Sequence, residues 1–153
     1  MNTIKTLLTL SIILCGMVNL SFAQDWSESE LQNMYVDFLK DEGMEPWIDD
    51  DGDVQFSYND HTYFVEVNEE DNEFARIVLF NIWPIESQTE AVQVAFACDA
   101  VNRSMKVAKA YTTDDNVWIA TELFLVRPDQ IKPVFMRCLD VIEQSIDTFV
   151  GEM

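Results

Sequence analysis

The sequence predicts an α+β domain in which a mainly antiparallel sheet of about five to six strands packs against three helices. Three segments carry apolar residues at helical spacing, which is typical of helices with one buried face. Short apolar runs separated by tight turns lie between them, and sequential hairpins favour antiparallel pairing. The expected order is helix, four strands, helix, two strands, helix.

The predicted helices have recognisable ends. The first ends at Gly43, and the third begins near Pro128 and Asp129, with Pro133 tolerated because it lies in the first turn. Two of the three helices begin with a capping box, in which a serine is followed three residues later by a glutamate: Ser27 with Glu30, and Ser87 with Glu90.

The two longest predicted strands are apolar on both sides. Phe74 to Trp83 and Val117 to Val126 carry large apolar residues at both odd and even positions. Helices on one face alone would leave an apolar patch on the other. Either the helices divide between the faces, or the second face contacts a partner or a second copy of the chain; we favour the second arrangement.

Four aromatic residues of these strands are the candidate interface or ligand-binding residues. Alternating aromatic residues on strands are typical of a core or of a dimer interface, and they can also line a ligand groove. The four residues are Phe80, Trp83, Trp118 and Phe124.

Residues 1–23 are predicted to be a cleaved signal peptide, which leaves residues 24–153 as a single domain. Lys5 is followed by an apolar stretch to Leu20, and Ser21 and Ala23 are small residues three before and directly before a cut at Gln24. The alternative, a transmembrane anchor, needs about 20 apolar residues, and this stretch is interrupted by polar ones. We therefore expect a periplasmic or secreted protein with no membrane association after cleavage.

The chain is strongly acidic, with 9 basic residues, 28 acidic residues and a net charge of −19. Removing the signal peptide takes away one lysine and no acid, so (9 − 1) − 28 gives −20. Such a charge disfavours binding to nucleic acid or anionic lipid, because phosphates are repelled. A basic protein partner remains compatible with it, and so does a role of the charge in solubility alone.

Two cysteines, Cys98 and Cys138, remain after cleavage. An exported protein can form disulfides. Both residues fall on apolar stripes of predicted helices, which favours buried free thiols. A disulfide between them is the alternative.

No residue pattern predicts catalysis, a metal site or a cofactor. The acidic turn Asp49–Asp53 matches part of a calcium-loop template, but Trp47 and Tyr58 occupy two essential ligand positions. His61 is the only histidine, and nucleophile and phosphate-loop motifs are missing from the sequence. We expect an acidic turn rather than a metal site, and a protein that is not an enzyme.

The chain resembles the YbjN-like domains, described as sensory transduction regulators, over roughly residues 30–149. The resemblance rests on Phe38–Gly43, Asp50–Val54, Ala100–Asn102, Lys106–Val107 and Val117 with the final helix. It implies a fold like that of type III secretion chaperones and a domain, often dimeric, that binds other proteins. Those chaperones are cytoplasmic, so the export signal predicts an exported variant.

Together, these features predict an exported, non-enzymatic protein-interaction domain with a chaperone-like or regulatory role. We expect it to bind a protein partner, or to self-associate, through an apolar face of the sheet. The alternative function is a periplasmic carrier of a small apolar ligand held between sheet and helices.

Overall fold

The computed structural model describes residues 26–153, so the signal peptide predicted for residues 1–23 lies outside the described residues. The predicted α+β class and element order are confirmed. In chain order the elements are α1 (Glu28–Asp41), β1 (Trp47–Ile48), β2 (Val54–Tyr58), β3 (His61–Val65), a 3-10 helix (Glu69–Asp71), β4 (Phe74–Pro84), α2 (Gln88–Ser104), β5 (Ala108–Thr113), β6 (Asn116–Phe124), a second 3-10 helix (Pro128–Val134) and α3 (Phe135–Glu152).

The six strands form one antiparallel sheet in the order β1-β2-β3-β4-β6-β5. The β2–β3 hairpin turns at Asn59 and Asp60, whose φ angles of 47° and 65° are the left-handed values that a two-residue turn of this kind requires. Asparagine and aspartate tolerate this conformation better than most residues. The predicted turn therefore fixes the register of the hairpin.

All three helices contribute to a hydrophobic core on one face of the sheet. On this face Phe56 lies opposite Tyr63, which lies opposite Leu79, and Leu79 lies opposite Ile119, so one row of buried residues crosses four strands. Side chains of the helices complete the same cluster: Leu39 from α1, Val101 from α2 and Leu139 from α3 are among its fully buried members.

The capping box predicted for the first helix is confirmed, whereas only the serine half of the box predicted for the second helix is present. Ser27 and Glu30 form a complete capping box. At α2 the Ser87 hydroxyl accepts the Glu90 N–H, while the Glu90 carboxylate accepts from the backbone of Glu86 instead of from the cap residue. Both arrangements satisfy backbone N–H groups that the first turn of a helix leaves without partners.

The start predicted for the third helix is wrong by nearly two turns of α-helix. The segment Pro128–Val134 is a 3-10 helix, and the α-helix begins only at Phe135. Pro133 has no N–H and cannot join the hydrogen-bond ladder of an α-helix interior. The α-helix therefore starts after this proline.

An irregularity in β4 changes which way its last residues point. Leu79 lies opposite Ile119 and Trp83 opposite Val117, so three residues of β4 face a single residue of β6. Within this bulge Asn81 has a φ of 55°. The bulge turns Ile82 toward the core cluster and Asn81 toward Trp118, whose indole N–H donates to it. Because two residues are added, Trp83 keeps the side of Leu79 and lies on the core face, where it packs against Phe149 of α3 with ring centroids 5.9 Å apart.

Candidate functional site

The face of the sheet opposite the helices, here called the open face, carries a cluster of aromatic side chains. Phe64, Phe80 and Trp118 lie within 6.0 Å of one another, measured between ring centroids, and Tyr111 lies 6.2 Å from Trp118. The strand registers place them together, because Phe64 pairs opposite Val78, and Tyr111 opposite Trp118. These four residues are called the aromatic patch.

Small residues fill the sheet surface beneath the aromatic patch. Val78 and Ala120 lie opposite each other on β4 and β6, on the open face. Both are completely buried although they stand outside the core cluster of the helix-covered face. The rings of the patch therefore form a packed layer of their own, with only part of each ring exposed to solvent.

A compact ionic network lies beside the aromatic patch. Arg76 is 2.9 Å from the Glu66 carboxylate and 3.4 Å from that of Glu122, and Lys109 is 3.2 Å from Glu122. Arg76 also donates a hydrogen bond to the hydroxyl of Tyr111. Burial alone would lower the pKa of Arg76, but the Glu66 hydrogen bond and the neighbouring negative charges raise it above its usual value.

The network makes this part of the open face electrically neutral. Its two basic residues, Arg76 and Lys109, balance its two acidic residues, Glu66 and Glu122. In a chain with a net charge of −19, a neutral aromatic surface of this kind is distinct from its surroundings. It can approach another protein surface without the repulsion that acidic surfaces would meet.

A second aromatic pair stands at the other end of the open face. Phe74 and Phe124 face each other across β4 and β6 with ring centroids 5.5 Å apart. Phe124 is 86% exposed and Val126, directly after β6, is 76% exposed. Arg76 and Glu122 lie between this pair and the aromatic patch along the two strands.

The structure brings together only part of the predicted aromatic set. Phe80 and Trp118 meet in the aromatic patch, and Phe124 shares the open face but pairs with Phe74. Trp83 does not belong to this surface, because it lies on the same side of β4 as Leu79, where its indole N–H donates to Glu90.

Sequence reasoning missed two members of the patch, Phe64 and Tyr111. Both lie on short hairpin strands whose register follows from the adjacent turns. Alternation counted outward from the Asn59–Asp60 turn would have placed Phe64 on the face opposite Tyr63. The same count from the β5–β6 turn would have placed Tyr111 beside Trp118.

Both cysteines are buried free thiols in the structure. Cys98 in α2 is 7% exposed and Cys138 in α3 is 4% exposed. Burial raises the pKa of both thiols. This placement is the one that the apolar stripes favoured, and a disulfide stays the alternative.

The acidic turn before β2 uses its own carboxylates to stabilise the turn. One oxygen of Asp49 accepts the N–H groups of Asp51 and Asp53, and the other accepts the side-chain amide of Gln55. Gly52 adopts a φ of 90°, which favours glycine. Within residues 26–153, no group of three or more histidine, cysteine or acidic side chains is placed to hold a metal ion.

The same part of the chain contains no helix that is both long enough and apolar enough to cross a bilayer.

Comparisons with known proteins identify a family. A search of curated proteins gave no significant match. A solved structure, the crystal structure of YbjN from E. coli, described as a putative transcription regulator, is similar with a TM-score of 0.58 and 14% sequence identity, covering 74% of this chain and 87% of that one. The family model for YbjN, described as "Putative bacterial sensory transduction regulator", matches residues 36–151. The chain therefore belongs to the YbjN family.

Proposed function

We propose that this protein is an exported, non-enzymatic regulatory domain that binds another protein through the open face of its sheet. The single observation that carries the proposal is the aromatic patch, since α1, α2 and α3 pack on the opposite face and no helix of residues 26–153 covers Phe64, Phe80, Tyr111 and Trp118. The description of the family as a sensory transduction regulator supports a regulatory role rather than a catalytic one.

The composition of the open face suits a protein interface. Tyrosine, tryptophan and arginine are enriched among the residues that contribute most to binding energy. Here Tyr111, Trp118 and Arg76 are neighbours: the Arg76 guanidinium lies 5.5 Å from the centre of the Tyr111 ring. Such rigid side chains, already packed before binding, lose little conformational entropy in a complex.

The charge of the rest of the molecule favours a basic partner. The aromatic patch supplies contact area at a locally neutral surface, while the surrounding charge of −19 attracts a basic protein during encounter. Self-association through the same face is the second candidate. It would have to overcome the repulsion between two acidic copies, which salt would weaken.

Replacing Trp118 by glutamate tests the proposal. A buried charge at the centre of the interface should abolish binding of the partner captured from a periplasmic fraction. Phe96→Glu is the matched control, because Phe96 is 70% exposed on α2 and lies on the helix side of the molecule. Light scattering of the same two variants reports whether the face joins two copies of the chain.

The outcomes separate the candidates. A partner lost from Trp118→Glu, kept by Phe96→Glu and released at high salt supports the basic-partner proposal. A wild-type dimer that becomes monomeric only in Trp118→Glu supports self-association. Equal capture by both variants, with no change in oligomeric state, would show that the open face is not the interface.

Export forms a separate part of the proposal and has its own test. We expect the protein in the periplasmic or extracellular fraction, with an amino terminus at Gln24 on peptide sequencing. Replacing Ala23 by a bulky residue should block cleavage, because the site requires a small side chain there. An unprocessed cytoplasmic protein would contradict export without affecting the proposed interface.

A further inference from the structure

A small apolar cleft lies on the helix side of the sheet, away from the open face. It has a volume of about 250 Å³ and lies between the start of α3, the end of β6 and the connection from α2 to β5. Its apolar walls come from all three of these elements: Val134, Cys138 and Val141 from the α3 region, Leu123 from β6, and Val107 from the connection.

Two basic side chains, Lys106 and Arg137, also line this cleft. Neither forms an ion pair within residues 26–153, although the chain contains 28 acidic residues. Four of the eight basic residues in this range are paired with carboxylates: Arg76, Arg103, Lys109 and Arg127. Lys40 and Lys132 are also without an ion pair there, but they do not line the cleft. The cleft therefore combines apolar walls with two cations that no carboxylate of residues 26–153 pairs with.

The backbone at the edge of the cleft adopts an unfavourable conformation. Val107 has a φ of 58°, a left-handed value that is rare for a β-branched residue. Its carbonyl accepts the N–H of Glu122 at 3.1 Å, and its side chain is 48% exposed. Strained residues of this kind cluster at functional sites, where the surrounding structure maintains them. In this conformation Val107 lines the cleft next to Lys106.

We infer that this cleft binds a small amphipathic carboxylate, such as a medium-chain fatty acid. The hydrocarbon chain would contact Leu123, Val134 and Val141, and the carboxylate would pair with Lys106 and Arg137. Charge complementarity selects the anion, because Lys106 and Arg137 line the same cleft and neither is paired with a carboxylate of residues 26–153. The volume is slightly smaller than the 300–1,000 Å³ of pockets for drug-sized ligands, which suits a chain of roughly eight carbons.

Titration of the purified protein with octanoate, followed by ¹H–¹⁵N NMR, tests this site. We expect saturable shifts at the amides of Lys106, Val107 and Arg137, and weaker binding of 1-octanol, which has the same chain without the charge. Arg137→Gln should raise the octanoate Kd about tenfold, the loss expected for a charge-assisted contact. Arg103→Gln is the matched control, because Arg103 pairs with Asp99 on the surface of α2 and should leave the Kd unchanged.

A second variant, Val141→Phe, fills the cleft and should weaken octanoate and 1-octanol alike. NMR spectra of each variant without ligand show whether it is folded. The inference fails if octanoate gives no saturable shifts at these amides, if Arg137→Gln and Arg103→Gln bind equally well, or if 1-octanol binds as tightly as octanoate. Trp118→Glu should bind octanoate normally, so failure of the interface proposal leaves this result unaffected.

Discussion

Asn102 protects the edge of the sheet with a single side chain. Its amide oxygen accepts the N–H of Ala110 at 2.8 Å, and its amide nitrogen donates to the carbonyl of Ala110 at 3.0 Å. Ala110 lies in β5, an edge strand, whose outward N–H and C=O groups would otherwise be free to pair with another chain. The asparagine thus occupies the position of a neighbouring strand.

We expect Asn102→Ala to lower the free energy of unfolding by roughly 1–3 kcal/mol, because two backbone groups lose their partner. Urea denaturation measures the change. Asn33→Ala, at an exposed position of α1, is the control and should change stability by less than about 0.5 kcal/mol. Equal effects of the two substitutions would contradict the role assigned to Asn102.

The two cysteines should remain reduced and react slowly. Burial raises the pKa of both Cys98 and Cys138, so few thiolates form near neutral pH, and the sulfur atoms are poorly accessible. We expect the intact mass to be the same with and without reductant, and alkylation of both residues only after unfolding. A non-reduced mass lower by two hydrogens would instead show a bridge.

Asp53 should make stability depend on pH. Partial burial, together with the charges of Asp49, Glu66 and Asp51, raises the pKa of this carboxyl, although the hydrogen bond from the Val67 N–H opposes the shift. The folded state therefore holds this proton more tightly than the unfolded state, and stability from this group decreases as pH rises from the unfolded pKa through the folded one.

Asp53→Asn keeps an oxygen for the Val67 N–H and removes the charge. We expect the variant to be more stable than the wild type at pH 7. The difference should shrink toward zero below the pKa of Asp53, where the wild-type carboxyl is also neutral. Urea denaturation at pH 7 and pH 4 measures both values, and a difference that grows on acidification would contradict the prediction.

At the level of the elements, we expect Trp83 to stabilise the fold and Trp118 to bind the partner. They lie on adjacent strands but on opposite faces: Trp83 packs on Phe149 and donates to Glu90, whereas Trp118 belongs to the aromatic patch. We expect Trp83→Ala to destabilise the fold by about 2–4 kcal/mol, because it leaves a cavity under α3. Trp118→Ala should lower the free energy of unfolding by less, because the Trp118 ring is partly exposed. It should also weaken partner binding.

Thermal unfolding and partner capture on both variants check this assignment. Each tryptophan serves as the control for the other, because the chemical change is identical. If Trp118→Ala were the more destabilising of the two, the aromatic patch would contribute more to the stability of the fold than the packing of Trp83 does. Its assignment as a binding surface would then be contradicted.

The elements that the sequence predicted correctly are those determined by local interactions. The Ser27–Glu30 capping box and the Asn59–Asp60 turn depend on residues within a few positions of each other, and both are confirmed. The bulge around Asn81 depends on how β4 pairs with β6, a strand more than 30 residues later. For this reason, alternation correctly separated Trp83 from Phe80 but placed Ile82 on the side of Phe80, whereas the bulge packs Ile82 against the core.

The apolar character of both faces was also predictable, but the position of the helices was not. Alternation along Phe74 to Trp83 shows two apolar sides and carries no information about which one the helices cover. That choice depends on packing between distant elements, such as Tyr63 of β3 donating to Glu143 of α3. The cleft at Lys106 and Arg137 likewise joins residues about 30 positions apart, so no local sequence motif could have predicted it.

For the molecule as a whole, the net charge of −19 should itself limit stability. A compact state of this charge repels itself, and added salt screens the repulsion. We expect the thermal midpoint to rise between about 20 mM and 150 mM NaCl. The rise should be about 2–4 °C, the shift that roughly 1 kcal/mol produces in a chain of this size.

The type of cation should matter little in the same experiment. Asp49 already uses both carboxylate oxygens to accept N–H groups within the acidic turn, so the turn has a stable structure without an ion. CaCl₂ and MgCl₂ at equal ionic strength should therefore raise the midpoint equally, because both act by screening. A larger rise with calcium alone, lost in Asp51→Asn, would show instead that the turn binds this ion. Glu45→Gln, an exposed acid outside the turn, controls for the removal of one charge.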